Sequence, residues 1–491
     1  MNILLVSPKT PTTFWSFHNA LKFISKKSSE PPLGLLTVAA MLPKEWNKKV
    51  VDLNVEMLKD KVIRWADYVF LTGMNVHTTS IHQIIKRCKA YDKKIVGGGP
   101  LFTTDHQEFP EIDYFVLNEA EKTLPMFVND LENGTLQRIY TTTEFPDIAE
   151  TPIPMWELVN FRKYASISIQ YSRGCPFNCD FCNVTILNGH KPRTKSAGQF
   201  LAELDSLYLN GWRGAIFIVD DNFIGNKAKL KRDVLPAMIE WSRKHNYPFR
   251  FMTEVSINLA DDDELVQLMA DAGFDAAFIG IETPNDESLA ECGKSQNQSR
   301  DLIGAVKKLQ RKGIAVSAGF IVGFDSDPPS IFKQQMQFIQ NSGIVTAMVG
   351  LLNAPTGTKL FHRMKQENRL LERMSGDNTD GSMNFIPKMN YDNLKKGYKD
   401  LVTTIYSPKA YYERVKTFLM EYKMPTFPKK IFWRDIKALF RSIWVLGLIE
   451  KGKRYYWRLF FYSLFRCPEK FPLAITMAIY GFHFRRVAAT I

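Results

Sequence analysis

Arg173-Gly174-Cys175-Pro176-Phe177-Asn178-Cys179-Asp180-Phe181-Cys182 decides how this chain is read. The cysteine spacing is C-x3-C-x2-C, and half of the six cysteines stand within eight positions. Thiols so close along the chain do not pair sensibly as disulfides, but together they can wrap one metal centre. A cubic iron–sulfur cluster normally takes four cysteines. Three leave one iron open, and an open iron can bind and reduce a substrate or cofactor.

Zinc is the rival metal. Its sites show paired C-x2-C knuckles or a fourth Cys or His at suitable spacing, and His190 is the nearest candidate. The surroundings of the motif favour the cluster. After a linker marked by Pro152, Pro154 and Trp156, six strand-like runs recur at 166–171, 215–219, 250–256, 276–282, 315–322 and 347–352, each followed by a helical stretch. Six β/α units predict an incomplete eight-fold barrel, open on one side, with its chemistry at the carboxyl ends of the strands. The cysteines lie just past the first run. Polar tips stand at the matching places: Asp220-Asp221-Asn222, Glu254 with Ser256, Glu282, Gly319 to Asp325, and the turn 353–358. Acidic residues at such places also cap helices, and Asp261-Asp262-Asp263 reads as a cap; Gly319 and Gly323 could be packing glycines. Five tips in register behind three cysteines argue for a site.

Upstream, apolar runs at 3–7, 68–72 and 94–97, with weaker ones at 49–53 and 114–117, alternate with helix-length segments. That rhythm predicts a parallel, doubly wound sheet, with ligands at the carboxyl ends of its strands. The loops there are Pro8-Lys9-Thr10, Gly73-Met74-Asn75-Val76-His77-Thr78-Thr79-Ser80, Gly97-Gly98-Gly99-Pro100 and Asn118-Glu119-Ala120-Glu121. Three successive glycines let backbone approach a flat or phosphorylated ligand closely.

At 491 residues the chain has room for about three domains, which we place at 1–150, 151–375 and 376–491. Past 376–381 the β/α rhythm stops and the pattern turns helical, with Tyr406-Ser407-Pro408-Lys409-Ala410-Tyr411-Tyr412 its most distinctive string. Beyond Pro428 basic and aromatic residues alternate: Lys429, Lys430, Phe432, Trp433, Arg434, Lys437, Phe440, Arg441, Trp444, then Arg454, Tyr455, Tyr456, Trp457 and Arg458. Such stripes lie on membranes, dock partners, or cover the protein's own core with basic stems outward. The net charge of +13 admits a solvated basic surface, an anionic substrate, a membrane face or an acidic partner.

Residues 1–8 read as a buried strand without a charged lead or cleavage site, so no signal peptide is expected. Scattered Cys88, Cys292 and Cys467 suit free thiols in a reducing cytoplasm. The longest uncharged apolar run, 471–484, is broken by Pro472 and Gly481 and falls short of the roughly 20 residues that span a bilayer.

Two resemblances follow from these motifs. The first 150 residues resemble the Rossmann-like cobalamin-binding domain of B12-dependent radical S-adenosylmethionine (SAM) enzymes. The segment from the cysteines through 353–358 resembles the radical SAM superfamily. The implied architecture is α/β, with a cobalamin-binding domain, a partial (β/α)6 barrel and a mainly helical C-terminal domain. The implied cofactors are a [4Fe–4S] cluster on Cys175, Cys179 and Cys182, SAM on the open iron, and cobalamin. Phe181 would stand near the SAM adenine, with Gly319 and Gly323 passing beside it. Glu254 and Ser256 would reach the ribose or carboxylate, Glu282 SAM or substrate, and Asp221 the amino group, where many members carry Gly-Gly-Glu. Cobalamin would meet Pro8, Thr10, Met74, Asn75, His77, Gly97, Gly98, Gly99, Pro100 and Glu119. His77 partly matches the D-x-H-x-x-G motif of other B12 proteins but lacks its Asp and Gly, so it either ligates cobalt or only contacts the corrin.

Thr13-Phe14-Trp15-Ser16-Phe17, Pro31-Pro32-Leu33-Gly34-Leu35-Leu36, Asp220-Asp221-Asn222-Phe223-Ile224-Gly225-Asn226 and the Tyr406–Tyr412 string resemble one methyltransferase subgroup. It includes the hopanoid C-2 methylase and the enzyme that methylates a glutamine α-carbon of methyl-coenzyme M reductase. The implied reaction is methylation of an unactivated sp3 carbon through a 5′-deoxyadenosyl radical and methylcobalamin. The reading leans to a peptide or protein carbon, that glutamine Cα. A hopanoid lipid, a non-methylating B12-dependent radical reaction and a non-enzymatic sensor are the alternatives. Expected partners are SAM, an external electron donor, the substrate, and a membrane or protein at the basic aromatic tail; nucleic acid is not expected. The expected location is the cytoplasm, with peripheral membrane contact through that tail.

Overall fold

The computed structural model describes residues 1–371, 374–425 and 433–491. Two six-stranded parallel sheets carry it. The first is built from β1 (Asn2–Ser7), β2 (Asn47–Asp52), β3 (Tyr68–Thr72), β4 (Lys94–Gly98), β5 (Tyr114–Val116) and β6 (Ile139–Tyr140), in the order β2-β1-β3-β4-β5-β6. Ile3, Leu4, Leu5 and Val6 are all buried, as expected of a central strand covered on both faces by helices.

The second sheet follows chain order. From one edge to the other it runs β7 (Ser166–Ile169), β10 (Gly214–Ile218), β11 (Phe249–Val255), β12 (Phe274–Glu282), β13 (Ala315–Val322) and β14 (Ala347–Leu351). A two-stranded hairpin, β8 (Ser172–Arg173) with β9 (Arg193–Thr194), stands between β7 and β10 in sequence. Alternation is clear in β11. Phe249, Phe251 and Thr253 pack outward under the helices, while Arg250, Met252 and Glu254 face the lumen of a half-barrel. The capping reading of the acidic triplet is borne out: Asp262 accepts from Leu265 N at the start of the helix Asp263–Ala272.

The open side of the half-barrel, between β7 and β14, is occupied by a segment of the first half of the chain. Ser29 O accepts from Ser166 N at 2.8 Å, and the Glu30 carboxylate accepts from Ser168 Oγ at 2.5 Å and Ser166 Oγ at 3.2 Å. On the other edge Trp15 Nε1 donates to Met348 Sδ at 2.9 Å, and its ring meets Phe278 edge-on at 5.2 Å. Residues 14–30 therefore complete the wall of a domain that begins more than a hundred residues later.

Beyond β14 the chain is helical, in the helices Tyr391–Ile405, Pro408–Glu421, Trp433–Ser442, Lys453–Arg466 and Phe471–Ala488. The Tyr406–Tyr412 string ties these to the barrel. The Tyr406 hydroxyl donates to Ala347 O at 2.6 Å, Ser407 caps the next helix, Pro408 takes its first turn, and the Tyr411 hydroxyl donates to Met477 O at 2.6 Å. The last helix is mostly buried, and Phe484 stacks on Phe14 at 4.2 Å. Tyr456 and Leu459 of the basic aromatic stretch are buried, whereas Trp433, Phe440 and Trp444 are exposed; Lys429, Lys430 and Phe432 lie outside the described residues. Among the described residues no helix is long and apolar enough to cross a membrane.

Candidate active site

The hairpin β8–β9 creates the cysteine loop, because everything from Gly174 to Pro192 is the excursion it closes. Gly174 turns at φ +96°, where a side-chain Cβ would stand 2.8 Å from Lys191 O. Asp221 accepts from Gly174 N and from Asn188 Nδ2, each at 2.9 Å, and so clips the two ends of the loop together. Asp220 accepts from Tyr171 N at 2.8 Å and Ser172 Oγ at 2.5 Å. Burial raises both carboxyls, Asp220 to about 7. Asp221, expected to meet the SAM amino group, is in this structure a brace of the cysteine loop.

Cys175, Cys179 and Cys182 are half-buried free thiols on that loop. Burial raises all three pKa values, Cys182 to about 12, and the Cys182 thiol is further raised by Cys179 and Cys175 beside it. Lys294 stands behind them, its Nζ 2.6 Å from Glu282 Oε1. Burial works against the lysine charge, but Glu282 and Cys179 outweigh it and hold its pKa above the usual value. A cation beside clustered thiols favours the thiolates a metal needs. Among the described residues no three His, Cys, Asp or Glu side chains are arranged to hold a single metal ion. A cubane instead gives each cysteine its own iron, so three thiols on one loop with a buried lysine behind them fit that group.

The remaining barrel tips converge on the same end. Glu254 faces the lumen with burial, then Asp221 and Asp220, raising it to about 8. Ser256 Oγ donates to Asn258 Oδ1 at 2.7 Å, and Asn222 Nδ2, in the loop after β10, donates to Ser256 Oγ at 3.3 Å. A cavity of about 490 Å3 opens here, lined among others by Pro176, Phe177, Asn222, Ile224, Ser256 and Asn258. It joins the cysteine loop to the predicted Ser256. Glu282 sits at φ +65°, uncommon for a residue with a Cβ. Asn297 Nδ2, donating to Gly280 O and Ile281 O, and Gln335 Nε2, donating to Ile321 O, hold this bend in place. Gly319 leaves room between Phe278 and Met348, since a Cβ there would stand 3.1 Å from the Phe278 ring. Phe181 lies 6.3 Å from Phe324 at the tip of β13. Gly323, expected beside the adenine, faces Leu394 and Met383 instead, so its lack of a side chain serves packing.

The two sheets meet carboxyl end to carboxyl end. Thr356 after β14 reaches Asp105 at 3.4 Å, and Gly376 packs against Asn75 and Val76. Glu119, expected to face cobalamin, is taken up by the cysteine-loop hairpin: Arg173 Nη1 donates to its Oε2 at 2.6 Å and Arg193 Nη2 to its Oε1 at 2.6 Å. Gly98 and Gly99 likewise serve the protein's own packing. A Cβ on Gly98 would stand 2.9 Å from Val116 O, and one on Gly99, at φ +91°, would collide with Thr72. Gly97 is buried against Phe115 and Ile112. Pro8 is held by Asn54, whose Nδ2 donates to Pro8 O, and Thr10 N donates to Asn54 Oδ1. Met74 and Pro100 stand exposed at the rim, with Asn75 half-exposed between them.

His77 is enclosed by these loops. Met74 N donates to its Nδ1 at 3.1 Å, which leaves the proton on Nε2 to donate to Thr10 Oγ1 at 3.1 Å. Burial pushes its pKa down to about 4. Both ring nitrogens are engaged within the protein, so His77 staples the first loop to the third and offers no lone pair to a metal. The exposed rim of Met74, Asn75 and Pro100 leaves room for a flat cofactor beside these loops. Sequence reasoning missed Lys294, Trp15, Glu30 and Arg193.

A B12 binding domain model matches residues 23–128, a radical SAM superfamily model matches 169–339, and a domain of unknown function matches 358–491. An uncharacterized methyltransferase of Synechocystis sp. is 40% identical over 99% of this chain and 91% of its own length. The hopanoid C-2 methylase of Rhodopseudomonas palustris is 32% identical over 93% of this chain and 88% of its own length. The radical SAM methyltransferase TsrM of Kitasatospora setae, solved with cobalamin and a [4Fe–4S] cluster, superposes at a TM-score of 0.64 and 14% identity, covering 97% of this chain and 99% of that one. That last likeness is one of fold.

Proposed function

The chain belongs to the cobalamin-dependent radical SAM methyltransferases, and on that premise we propose that it methylates an unactivated sp3 carbon of an apolar, hopanoid-like substrate held in the half-barrel. The lumen wall carries this reading. Phe217, Met252, Phe278 and Met348 face inward, and Trp15 closes over the last two. Those side chains suit an apolar ring system, with Glu254 and Glu30 the polar groups that reach the same lumen. A hopanoid methylase among the relatives supports the same substrate class.

Cys175, Cys179 and Cys182 would hold the cluster, with Lys294 and Glu282 setting the charge behind it. Once bound, the cluster with SAM supplies a carbon-centred radical, and cobalamin supplies the methyl group. Glu254, protonated at neutral pH, presents a donor as well as an acceptor to whatever lies against it. The 14–30 segment covers the open edge of the lumen through Trp15 on Met348 and Phe278 and Glu30 on Ser168.

The test is to add methyl-labelled SAM and the reconstituted enzyme to an extract of its own cells and to separate lipid from protein. Label is expected in an apolar small molecule, with deoxyadenosine formed alongside. Label in a glutamine of a protein would establish the peptide reading in its place, and deoxyadenosine without labelled product would remove methyl transfer altogether.

A further inference from the structure

The helical third of the chain leaves one apolar face open. Trp433, Ile436, Phe440, Trp444 and Leu448 are spaced three or four residues apart along the helix Trp433–Ser442 and its continuation Ile443–Ile449, so they share one side. They are 68, 36, 66, 62 and 52% exposed. Trp457 links this row to a second: its Nε1 donates to Gly447 O at 2.9 Å, its ring stacks on Phe461 at 5.6 Å, and Phe461 stacks on Phe465. Phe465 is 74% exposed. Single exposed apolar residues are ordinary, but two connected rows of large ones mark a contact surface.

Charge identifies what that surface meets. Lys437, Lys451, Lys453, Arg454, Arg458 and Arg466 are exposed along the same helices. The acidic residues there are Asp435, Glu450 and Glu469, and Glu450 is already paired with Arg486 at 3.1 Å. We infer that this face docks the protein on an anionic lipid bilayer, the aromatic rows entering the headgroup boundary and the basic side chains meeting lipid phosphates. Trp and Phe on one face with Lys and Arg beside it is the composition of an interfacial helix. A second copy of this chain, at net +13, would bring like charge to the same place. No helix among the described residues is fit to span, so the protein would lie on the membrane. The face is fixed to the rest of the fold, because Arg441 Nη1 donates to Lys22 O, Phe23 O and Ser25 Oγ at 2.9, 3.0 and 2.7 Å. The inference rests on this surface alone and not on the substrate class.

The test is flotation of the full, cofactor-loaded chain with phosphatidylcholine vesicles, with and without phosphatidylglycerol, at low and high salt. Binding is expected to the phosphatidylglycerol vesicles and to weaken with salt. Phe440→Ser with Trp444→Ser should lower the partition coefficient about tenfold or more without lowering Tm, both residues being exposed. Lys451→Gln, Lys453→Gln and Arg454→Gln together should reduce the preference for phosphatidylglycerol. No binding to either vesicle, or binding unchanged by the aromatic substitutions, would overturn the inference. So would a concentration-dependent dimer, seen by sedimentation, that the same substitutions dissolve.

Discussion

Arg173 Nη1 lies 2.6 Å from Glu119 Oε2 and joins the entrance of the cysteine loop to the end of the first sheet. Arg193 shares Glu119, and Glu121 engages Arg173 at 2.9 Å, so the seam is a four-member network. The Arg173 and Glu119 side chains are only 14 and 8% exposed. Glu119→Gln should strand buried positive charge and cost about 3 kcal/mol, the low end for breaking a buried pair because Glu121 remains. Denaturant unfolding measures the loss, and iron per chain after reconstitution should fall with it. A cost below about 1 kcal/mol would show that the network contributes no more than a surface pair.

Glu254 makes stability depend on pH with a definite sign. Its folded pKa, about 8, lies above the ordinary glutamate value of 4.5, so between these values the folded protein holds a proton that the unfolded chain has released. Stability therefore falls as pH rises through that window, by at most about 1.4 kcal/mol per pH unit. In cofactor-free protein, Glu254→Gln should flatten this part of the curve relative to the parent, measured as Tm from pH 5 to 8. Parallel curves for the two proteins would mean that Glu254 is ionised in the fold.

His77 should leave the cobalt environment alone. With Nδ1 accepting from Met74 N and Nε2 donating to Thr10 Oγ1, the electron paramagnetic resonance spectrum of the cob(II)alamin-loaded protein should lack histidine nitrogen splitting. His77→Asn should give the same spectrum. A histidine splitting that vanishes in the variant would show that the ring leaves its two partners when cobalamin binds.

Cys292 is the cysteine to use as a control. It is 3% exposed, its Sγ faces Leu289 O at 3.6 Å, and its own carbonyl accepts from Asp180 N at 2.9 Å. Cys292→Ala should keep the iron content and the label transfer, at a stability cost of about 1 kcal/mol for the lost buried atom. Cys179→Ala should lose both iron and transfer. Iron loss in Cys292→Ala would make it a fourth ligand.

The barrel was legible because each strand carries its own signal: an apolar alternation ending in a polar tip, as at Glu254 and Glu282. The parallel first sheet was legible instead from continuous apolar runs such as Ile3 to Val6. What escaped was action at long sequence separation. Lys294 follows a short helix with no pattern of its own, and only the return of the chain after β12 brings it behind Cys179. Two-residue strands such as β8 and β9 are too short to show a period, so the closure of the cysteine loop, and with it Arg193 on Glu119, could not be read. Gly98, Gly99 and Gly323 were read toward ligands, yet each is glycine where the protein's own atoms crowd the Cβ position. A glycine in sequence reports that space is short, not what fills it.

The segment 14–30 bears on how such an enzyme can be rebuilt. With Trp15 on Met348 and Glu30 on Ser168, the unit that behaves as a module is not the stretch between two linkers. A chimera that joins a foreign cobalamin half to this barrel at residue 150 would import a stranger's plug into the lumen and, with it, a different catalytic chamber. Exchanging 14–30 alone would instead re-cut the chamber while leaving both cofactor cradles in place, so that short insert is the lever by which a new substrate could be grafted onto an old reaction.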